Sequence, residues 1–500
     1  MRPFTTYDAN VNQTKSYYEG YNVMALPEEV YWLDALGGVN YQHVDRLSQT
    51  PELLEMAVLT DMLPDPSGEL VTRPGFPKVQ ASAIAGSLTF TGIHHLWALA
   101  VEEVLSMSDG TFKRNNAAPP GAISGGTAFT SGVNVLTRAA IHNNFLIAVS
   151  NARNVPQTFT AAIVRADLGG TPPRGVDVKS FHRRLLMFSP SDGTTTYKGF
   201  VAFNSAVDDE DAWVAWTTVN RLNFGGGGSG DIDILGGEIF ADHCWAFSEN
   251  TLFRIYPQPN ALVPYGFQVV YTEVGGGPAG IHAVVNTAEA LYWISRNGDV
   301  KQLLPDGRVR STKYAEAVQP FLAGLSDSRR AYIVGGWEPR LRLVLWAVSD
   351  GSDSTNQDVL ALHVDTGFFS VHTLTRNAFG NRNASTGESQ LLGGGGTSGF
   401  FYREFDPDAT TGSGDDADGT ISPALRTPRL HLGMPGARKK VTHVALEFDP
   451  IGSETITITG NYDDNTGLTD VSATAALSGT DTQLVRVKTP RPYRRLQLHL

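Results

Sequence analysis

Cysteine is nearly absent from this sequence, since Cys244 is the only one among 500 residues. A single cysteine excludes an intrachain disulfide framework and a multi-cysteine zinc site. Cys244 precedes Trp245 in an apolar, strand-like string, so we expect a buried structural thiol. His94 and His95 have no acidic residue or third ligand close in sequence, and we interpret them as turn or core residues. We therefore expect no metal and no cofactor.

Long apolar runs are also missing. No run reaches the roughly 18 residues that a membrane-spanning helix needs. The segment from Met1 to Asp8 lacks a basic region followed by an apolar stretch, so it does not indicate a signal peptide. We expect no insertion into a membrane.

Known catalytic motifs are absent as well. The sequence has no Gly-x-Ser-x-Gly elbow, no phosphate-binding Walker loop and no His-Glu-x-x-His string. Its glycine runs at 225–228, 275–277 and 393–396 lack the Lys-Ser/Thr that follows a phosphate-binding loop, and we interpret them as flexible loops. The expectation is that this protein is not an enzyme.

Positive charge is in the minority, because 39 Lys and Arg face 51 Asp and Glu and give a formal net charge of −12. This balance argues against wrapping nucleic acid through counterion release, but it is compatible with DNA passing nearby. The apolar content of 41%, with 24 Phe, 16 Tyr and 8 Trp, is enough for a sizeable core. The 52 Gly and 27 Pro predict many tight turns.

Residues 1–75 are predicted to form an N-terminal, partly helical arm. Thr50, Pro51 and Glu52 resemble a capped helix start, and the apolar residues that follow continue to Pro64. A second, weaker helix is predicted near Pro27. Little in this part indicates strands.

A repeat dominates residues 76–405. Short apolar strings alternate with turn residues, and Trp245 to Trp293 and Trp293 to Trp346 are 48 and 53 residues apart. A period of about 40–50 residues with several strands per unit is typical of a β-propeller, although any all-β protein alternates apolar strands with turns. We predict an all-β fold with a propeller of six or seven blades.

The composition changes after the propeller. Residues 406–419 are acidic and are predicted to be a linker. Residues 420–500 show apolar/polar alternation, which predicts a small β-sandwich. This last part has a formal charge of +3, against −15 for the remainder. The two parts are therefore expected to face different partners.

Two sets of charged residues are candidates for function. The acidic cluster Asp208–Asp211, followed by Trp213 and Trp216, suits a cation or a sugar, but a surface loop or a channel lining is favoured. The candidate channel-lining acids are Asp208, Asp209, Glu210, Asp211, Asp231, Asp233 and Glu238. The candidate subunit contacts are Arg183, Arg184, Arg329, Arg330, Arg438, Lys439, Lys440, Arg491, Arg494 and Arg495, because arginine is favoured in interfaces.

Three stretches of the propeller region resemble the hub and nozzle proteins of short-tailed bacteriophage tails. In chain order they are Arg73-Pro74-Gly75-Phe76, Phe181-His182-Arg183-Arg184-Leu185-Leu186 and Trp293-Ile294-Ser295 with Gly298-Asp299-Val300. The third of these stretches is followed by a helix-like segment at 313–325.

The resemblance implies a structural virion protein, assembled in the host cytoplasm, that extends the portal–adaptor channel. It implies a homo-hexameric ring, an adaptor or portal ring as one partner, and a tail plug, needle or fibres as another. Double-stranded DNA would be retained by the ring and would pass through it during ejection, without sequence-specific binding. Two alternatives remain open at this point: a propeller that binds or cleaves glycans, with Trp213 and Trp216 in its site, and a cytoplasmic scaffold propeller.

Overall fold

The computed structural model forms two compact units, one of Met1–Thr72 with Pro423–Leu500 and one of Arg73–Ser422. Within them it describes residues 17–18, 21–22, 58–64, 70–80, 82–86, 88–95, 103–115, 119–225, 232–259, 264–349, 351, 355–383, 388–396, 399–406, 421, 423–426, 443–448, 453–462, 470–478, 483–488 and 496–499.

The N-terminal segment contains strands where the sequence predicted a helix. Its described strands are β1 (Tyr17–Tyr18), β2 (Tyr21–Asn22), β3 (Val58–Thr60), β4 (Met62–Pro64) and β5 (Leu70–Thr72). Asp61 has a left-handed φ of 55°, which interrupts any helix, and Val58 and Thr60 are β-branched residues that favour strands. The helix prediction is therefore wrong for 58–64, and residues 27–57 lie outside the described part.

The second unit is a β-propeller, and its described residues form seven antiparallel blades. The sheets follow one another in chain order, and the innermost strand of each blade comes first. Blades 1 to 3 comprise β6 (Phe90–His95), β7 (Glu103–Met107), β8 (Phe112–Arg114), β9 (Gly121–Ile123); β10 (Thr137–His142), β11 (Phe145–Ser150), β12 (Gln157–Phe159), β13 (Arg165–Asp167); and β14 (Asp177–Phe181), β15 (Arg184–Phe188), β16 (Phe200–Phe203), β17 (Arg221–Asn223).

Blades 4 to 7 continue the same order, with a 3-10 helix (Ile281–Ala283) before blade 5. The helices α1 (Ala315–Gly324) and α2 (Asp327–Arg330) connect blades 5 and 6. The strands are β18 (Ile234–Phe240), β19 (His243–Ser248), β20 (Thr251–Pro257), β21 (Tyr265–Thr272); β22 (Val285–Asn286), β23 (Leu291–Ile294), β24 (Val300–Leu303), β25 (Val309–Ser311); β26 (Val334–Glu338), β27 (Leu343–Val348), β28 (Asp358–His363), β29 (Phe369–Thr373); and β30 (Arg376–Asn383), β31 (Ser389–Gly395), β32 (Phe401–Arg403).

Blade 7 takes its fourth strand from the residues that precede blade 1. Lys78 forms an antiparallel bridge with Tyr402, and Val79 N donates to Phe401 O at 3.0 Å. Arg403 N donates to Pro77 O at 3.1 Å on the other side of the bridge. The circle of blades is therefore closed by a segment from the N-terminal end of the propeller, which leaves no unpaired outer edge on β32.

The core lies between the blades, because each blade packs a face against its neighbour. Ile147 and Val149 of blade 2 cluster with Leu185 and Met187 of blade 3. The recurring tryptophans Trp245, Trp293 and Trp346 lie on the second strands of blades 4, 5 and 6 and are fully buried. The repeat that predicted the propeller therefore corresponds to this inner packing layer, and the fold prediction is confirmed. Trp97 of the first string lies outside the described residues.

The C-terminal strands form a small two-layered sandwich together with β3. They are β33 (Ala424–Arg426), β34 (His443–Phe448), β35 (Ser453–Tyr462), β36 (Val471–Ser478), β37 (Gln483–Lys488) and β38 (Leu496–His499). One layer has the order β3-β33-β38-β35-β36 and the other pairs β34 with β37. Leu446, Ile458 and Val487 from both layers share one core cluster.

The predicted domain boundaries need two corrections. The N-terminal segment is not a separate arm, because β3 pairs with β33 and residues 1–72 cluster with 423–500. Asp406, predicted to begin the linker, is a buried propeller residue whose Oδ1 accepts from Arg340 Nη1 at 2.9 Å. Residues 407–420 of the predicted linker lie outside the described part.

Candidate functional site: the propeller axis and the blade-3 strap

A salt-bridge network joins the innermost strands at the propeller axis. Arg138 on β10 contacts Asp177 of blade 3 (Nε to Oδ1, 3.0 Å) and Glu238 of blade 4 (Nη2 to Oε2, 2.7 Å). Its Nη1 also donates to Ile281 O before blade 5, at 3.3 Å. Lys179 Nζ of blade 3 binds the same Glu238 oxygen at 2.8 Å. Arg138 therefore connects four successive blades.

The charges of this axial network stabilise one another in the ionised state. Burial alone would raise the pKa of the Glu238 carboxyl, but Lys179 and Arg138 outweigh burial and hold that pKa below its ordinary value. Burial would likewise lower the pKa of Arg138, and Asp177 and Glu238 reverse this and raise it. The network is therefore a set of paired charges at neutral pH.

Two histidines next to the network are held in the neutral form. Burial, followed by the charge of Arg138, lowers the pKa of His94 to about 4, and His94 Nε2 lies 2.8 Å from Thr137 Oγ1. Burial also lowers the pKa of His282, with further contributions from Arg138, His94 and Lys179. Neither ring is an acid–base group near neutral pH. The expectation that His94 is a core residue is consistent with this placement.

The predicted channel-lining acids occupy three different environments. Glu238 belongs to the axial network and is neutralised there by two cations. Asp233 is partly exposed and lies 3.4 Å from Lys198 Nζ. Asp231 lies outside the described residues. The structure therefore does not bring these acids together with Asp208–Asp211 in one cluster.

The acidic cluster is part of a long connection between β16 and β17, residues 204–220, which we call the blade-3 strap. Asp208 forms an ion pair with Arg183 of the neighbouring hairpin, and Asp211 Oδ1 accepts from Gly169 N at 2.8 Å. Asp209 Oδ1 accepts from Asp211 N at 3.2 Å. Asp208 and Asp211 thus hold the strap in place, and Asp209 stabilises a turn within it.

The strap turns its two indoles inward, which argues against the alternative of a sugar site at Trp213 and Trp216. These side chains are only 2% and 6% exposed and pack between blades 2 and 3. Trp213 Nε1 donates to Glu210 O at 2.7 Å and Trp216 Nε1 to Thr171 O at 3.1 Å. A sugar needs the face of an exposed ring, and neither ring offers one.

The arginines predicted as subunit contacts differ in exposure. Arg183 is exposed, whereas Arg184 Nη1 donates to Asn204 O at 2.6 Å. Arg329 is buried and donates to Asn134 and Asn356, so it supports the fold rather than a surface. Arg330 Nη2 donates to the Leu322 carbonyl at the end of α1, at 3.1 Å. The remaining candidates, Arg438, Lys439, Lys440, Arg491, Arg494 and Arg495, lie outside the described residues.

Sequence reasoning did not find the axial residues Arg138, Asp177 and Lys179. Arg138 is the one Lys, Arg, Asp or Glu residue of β10, whereas Asp177 and Lys179 lie two residues apart on β14, and none of the three belongs to a motif. The signal in the sequence was their position on the first strand of a blade, but it is not specific, since Glu338 on the first strand of blade 6 pairs with Arg340 of its own hairpin. Cys244 is buried as expected.

Among the described residues, no group of three or more His, Cys, Asp or Glu side chains is arranged to hold a metal ion. In that same part of the chain, no helix is long and apolar enough to cross a membrane.

No model of a known protein family and no curated protein matches this chain. Solved structures with partial similarity include BBS1N in complex with ARL6DN (TM-score 0.42, 13% identity, covering 68% of this chain and 99% of that one). A second is the Cps50 (Swd1) β-propeller domain of Myceliophteria thermophila, with a TM-score of 0.41, 8% identity, and coverage of 65% of this chain and 98% of that one. A third is the Pan2 WD40 domain of Neurospora crassa, with a TM-score of 0.40, 10% identity, and coverage of 66% of this chain and 95% of that one. Similarity of this degree carries no argument about function, and the propeller fold rests on the seven sheets described above.

Proposed function

We propose that this protein is a structural subunit of a short-tailed bacteriophage tail, of the hub or nozzle type, and that it forms a ring around the DNA exit channel. Arg138 carries the proposal, because it joins four blades and makes the propeller axis a rigid, charge-paired centre. The axis is thereby a structural element. DNA would pass through the lumen of a ring of copies instead.

The resembling stretches support this proposal by their positions. Arg73–Phe76 leads directly into the closing strand of blade 7, and the other two stretches are the β14–β15 hairpin and the β23–β24 hairpin. All three stretches therefore belong to the framework of the propeller: one leads into its closing strand and two form hairpins within its blades. A net acidic propeller also suits a DNA channel, because it repels phosphate and lets the duplex slide.

The test is the particle mass of the purified protein, measured with negative-stain images of the same sample. We expect a ring of about 320 kDa, six times the 53.9 kDa chain, with a central hole. Addition of short duplex DNA at physiological salt should leave the mass of the ring unchanged.

A protein that remains at 53.9 kDa at all concentrations would contradict the ring. Tight, salt-sensitive DNA binding would contradict the sliding channel. A glycan array on the same sample tests the alternative, and binding there would replace the proposed function with a carbohydrate-binding one.

A further inference from the structure

We infer that the blade-3 strap is a docking surface for a second copy of this chain, and that it binds the outward face of that copy's strand β37. This inference rests on the proposed ring and names one of its contacts. Apolar exposure on the strap, a fixed strap conformation and opposite charge on β37 support it.

The strap exposes an unusual amount of apolar surface. Seven large apolar side chains are exposed in the described part of the chain, and three of them, Val207, Val214 and Val219, lie on the strap. Their exposed fractions are 44%, 64% and 63%. Several exposed apolar groups on one short connection indicate an interaction surface more strongly than scattered single ones do.

The conformation of the strap is fixed before any partner binds. The Ala215 carbonyl accepts from Val219 N at 2.8 Å and from Thr218 N at 3.1 Å, and Asn220 Nδ2 donates to Val214 O at 2.6 Å. The buried indoles of Trp213 and Trp216 fasten the other side of the strap to the groove between blades 2 and 3. A surface fixed in this way loses little conformational entropy on binding.

Acidic side chains lie on the same strap as the exposed valines. Asp209 and Asp211 are exposed, and the four acids Asp208–Asp211 outnumber Arg183, the cation that pairs with Asp208. A negatively charged partner would be repelled, so the negative charge of the strap favours a positively charged surface.

The chain carries a basic surface of its own on β37. Val487 faces the core of the sandwich, and the alternating neighbours Arg486 and Lys488 are exposed on the opposite face. These cations belong to the part of the chain with a formal charge of +3, whereas the remainder carries −15. An acidic patch on one copy and a basic patch elsewhere on the next form a head-to-tail contact, the type that closes rings.

Reciprocal charge reversal tests the contact in the full-length protein. Asp209→Lys with Glu210→Lys, and separately Arg486→Glu with Lys488→Glu, should each raise the concentration needed for ring assembly about tenfold or more. All four changes together should restore assembly, because the attraction is re-formed with opposite signs. Val214→Ser with Val219→Ser should weaken assembly without altering its salt dependence.

The matched control is Glu316→Lys with Asp327→Lys on the helices between blades 5 and 6. Both acids are exposed, and the change in net charge equals that of the strap variant. It should leave assembly unchanged. Melting curves of all variants show whether each of them folds.

The outcomes separate this inference from the proposed function. If both strap variants, the charge reversal and the valine substitutions, assemble into rings as readily as the wild-type protein does, the inferred docking surface is wrong. The proposed structural role is then unaffected. Loss of the ring in both reversals without rescue in the combined variant also overturns the pairing of the strap with β37. If the wild-type protein itself forms no ring, the proposed function fails and the inference fails with it.

Discussion

Arg138 illustrates how one charged side chain can stabilise several blades. Its partner Asp177 is fully buried, and Glu238 depends on Arg138 and Lys179 for its charge. Sequence could not predict these pairs, since Arg138 lies 39 residues from Asp177 and 100 residues from Glu238. Only the propeller topology brings them together at the axis.

Replacing Arg138 by methionine should therefore be strongly destabilising. The variant leaves Asp177 as a buried charge without its cation, which costs about 3–5 kcal/mol of unfolding free energy. Urea unfolding followed by tryptophan fluorescence measures the change. Arg308→Met is the control, because Arg308 is exposed and should change stability by less than about 0.5 kcal/mol. Equal stability of the two variants would contradict a structural role for the axis.

The axial histidines predict that stability falls with acid. His94 has a pKa of about 4 in the folded protein and an ordinary value of 6.5 when unfolded, so the unfolded chain binds more protons in between. The contribution of His94 is complete above pH 6.5 and is lost as the pH falls from 6.5 toward 4. Urea midpoints measured across this range should decline less steeply in His94→Gln. Parallel declines in both proteins would show that His94 is not the titrating group.

Among the elements, the closing strand of blade 7 is held in place by aromatic packing at its start. Phe76 is buried edge-on against Phe405, with ring centroids 5.3 Å apart. The Arg376 guanidinium lies 4.9 Å from the Phe76 ring and 4.4 Å from the Tyr402 ring, and it pairs with buried Glu404. These contacts fix the segment that ends at Val79 and closes the ring.

Phe76→Ala should loosen this closure. Loss of a buried phenylalanine costs about 3–5 kcal/mol, and here the loss falls on the strand that completes the circle. Hydrogen exchange should accelerate at residues 399–406 before it does at 291–303 in blade 5. Val164→Ala, at an exposed position, should leave both segments unchanged. Uniform acceleration over the whole propeller would contradict a local closure.

The elements that sequence predicted well are those with a repeated environment. Trp245, Trp293 and Trp346 recur because the second strand of each blade packs between the same neighbours. The segment 58–64 has no such repeat, and its partner strand β33 is far away in the chain, at Ala424–Arg426. Its apolar spacing suited a helix locally, and long-range pairing decided otherwise. The composition of Asp208–Asp211 suits a ligand, yet Asp208 pairs with Arg183, and the carboxylates of Asp209 and Asp211 accept backbone N–H groups.

At the scale of the whole molecule, the two ends of the chain meet in one unit while the ring closes within the other. The closing strand at Pro77–Val79 lies inside Arg73–Ser422, so blade 7 is completed within this unit. The C-terminal strands, in contrast, share a sheet with β3 from the N-terminal segment. The propeller is thus continuous in sequence, and the sandwich is not.

This difference predicts how fragments will behave. Residues 73–422 should fold alone and unfold in one cooperative transition, because closure needs no residue from outside them. A shorter fragment, 88–422, lacks the fourth strand of blade 7 and should melt at a lower temperature and be cleaved first near β32. Thermal melts and limited proteolysis of both fragments measure this. Identical melting temperatures of the two fragments would mean that the closing strand adds nothing to the stability of the propeller, since an open edge on blade 7 would then be as stable as a paired one.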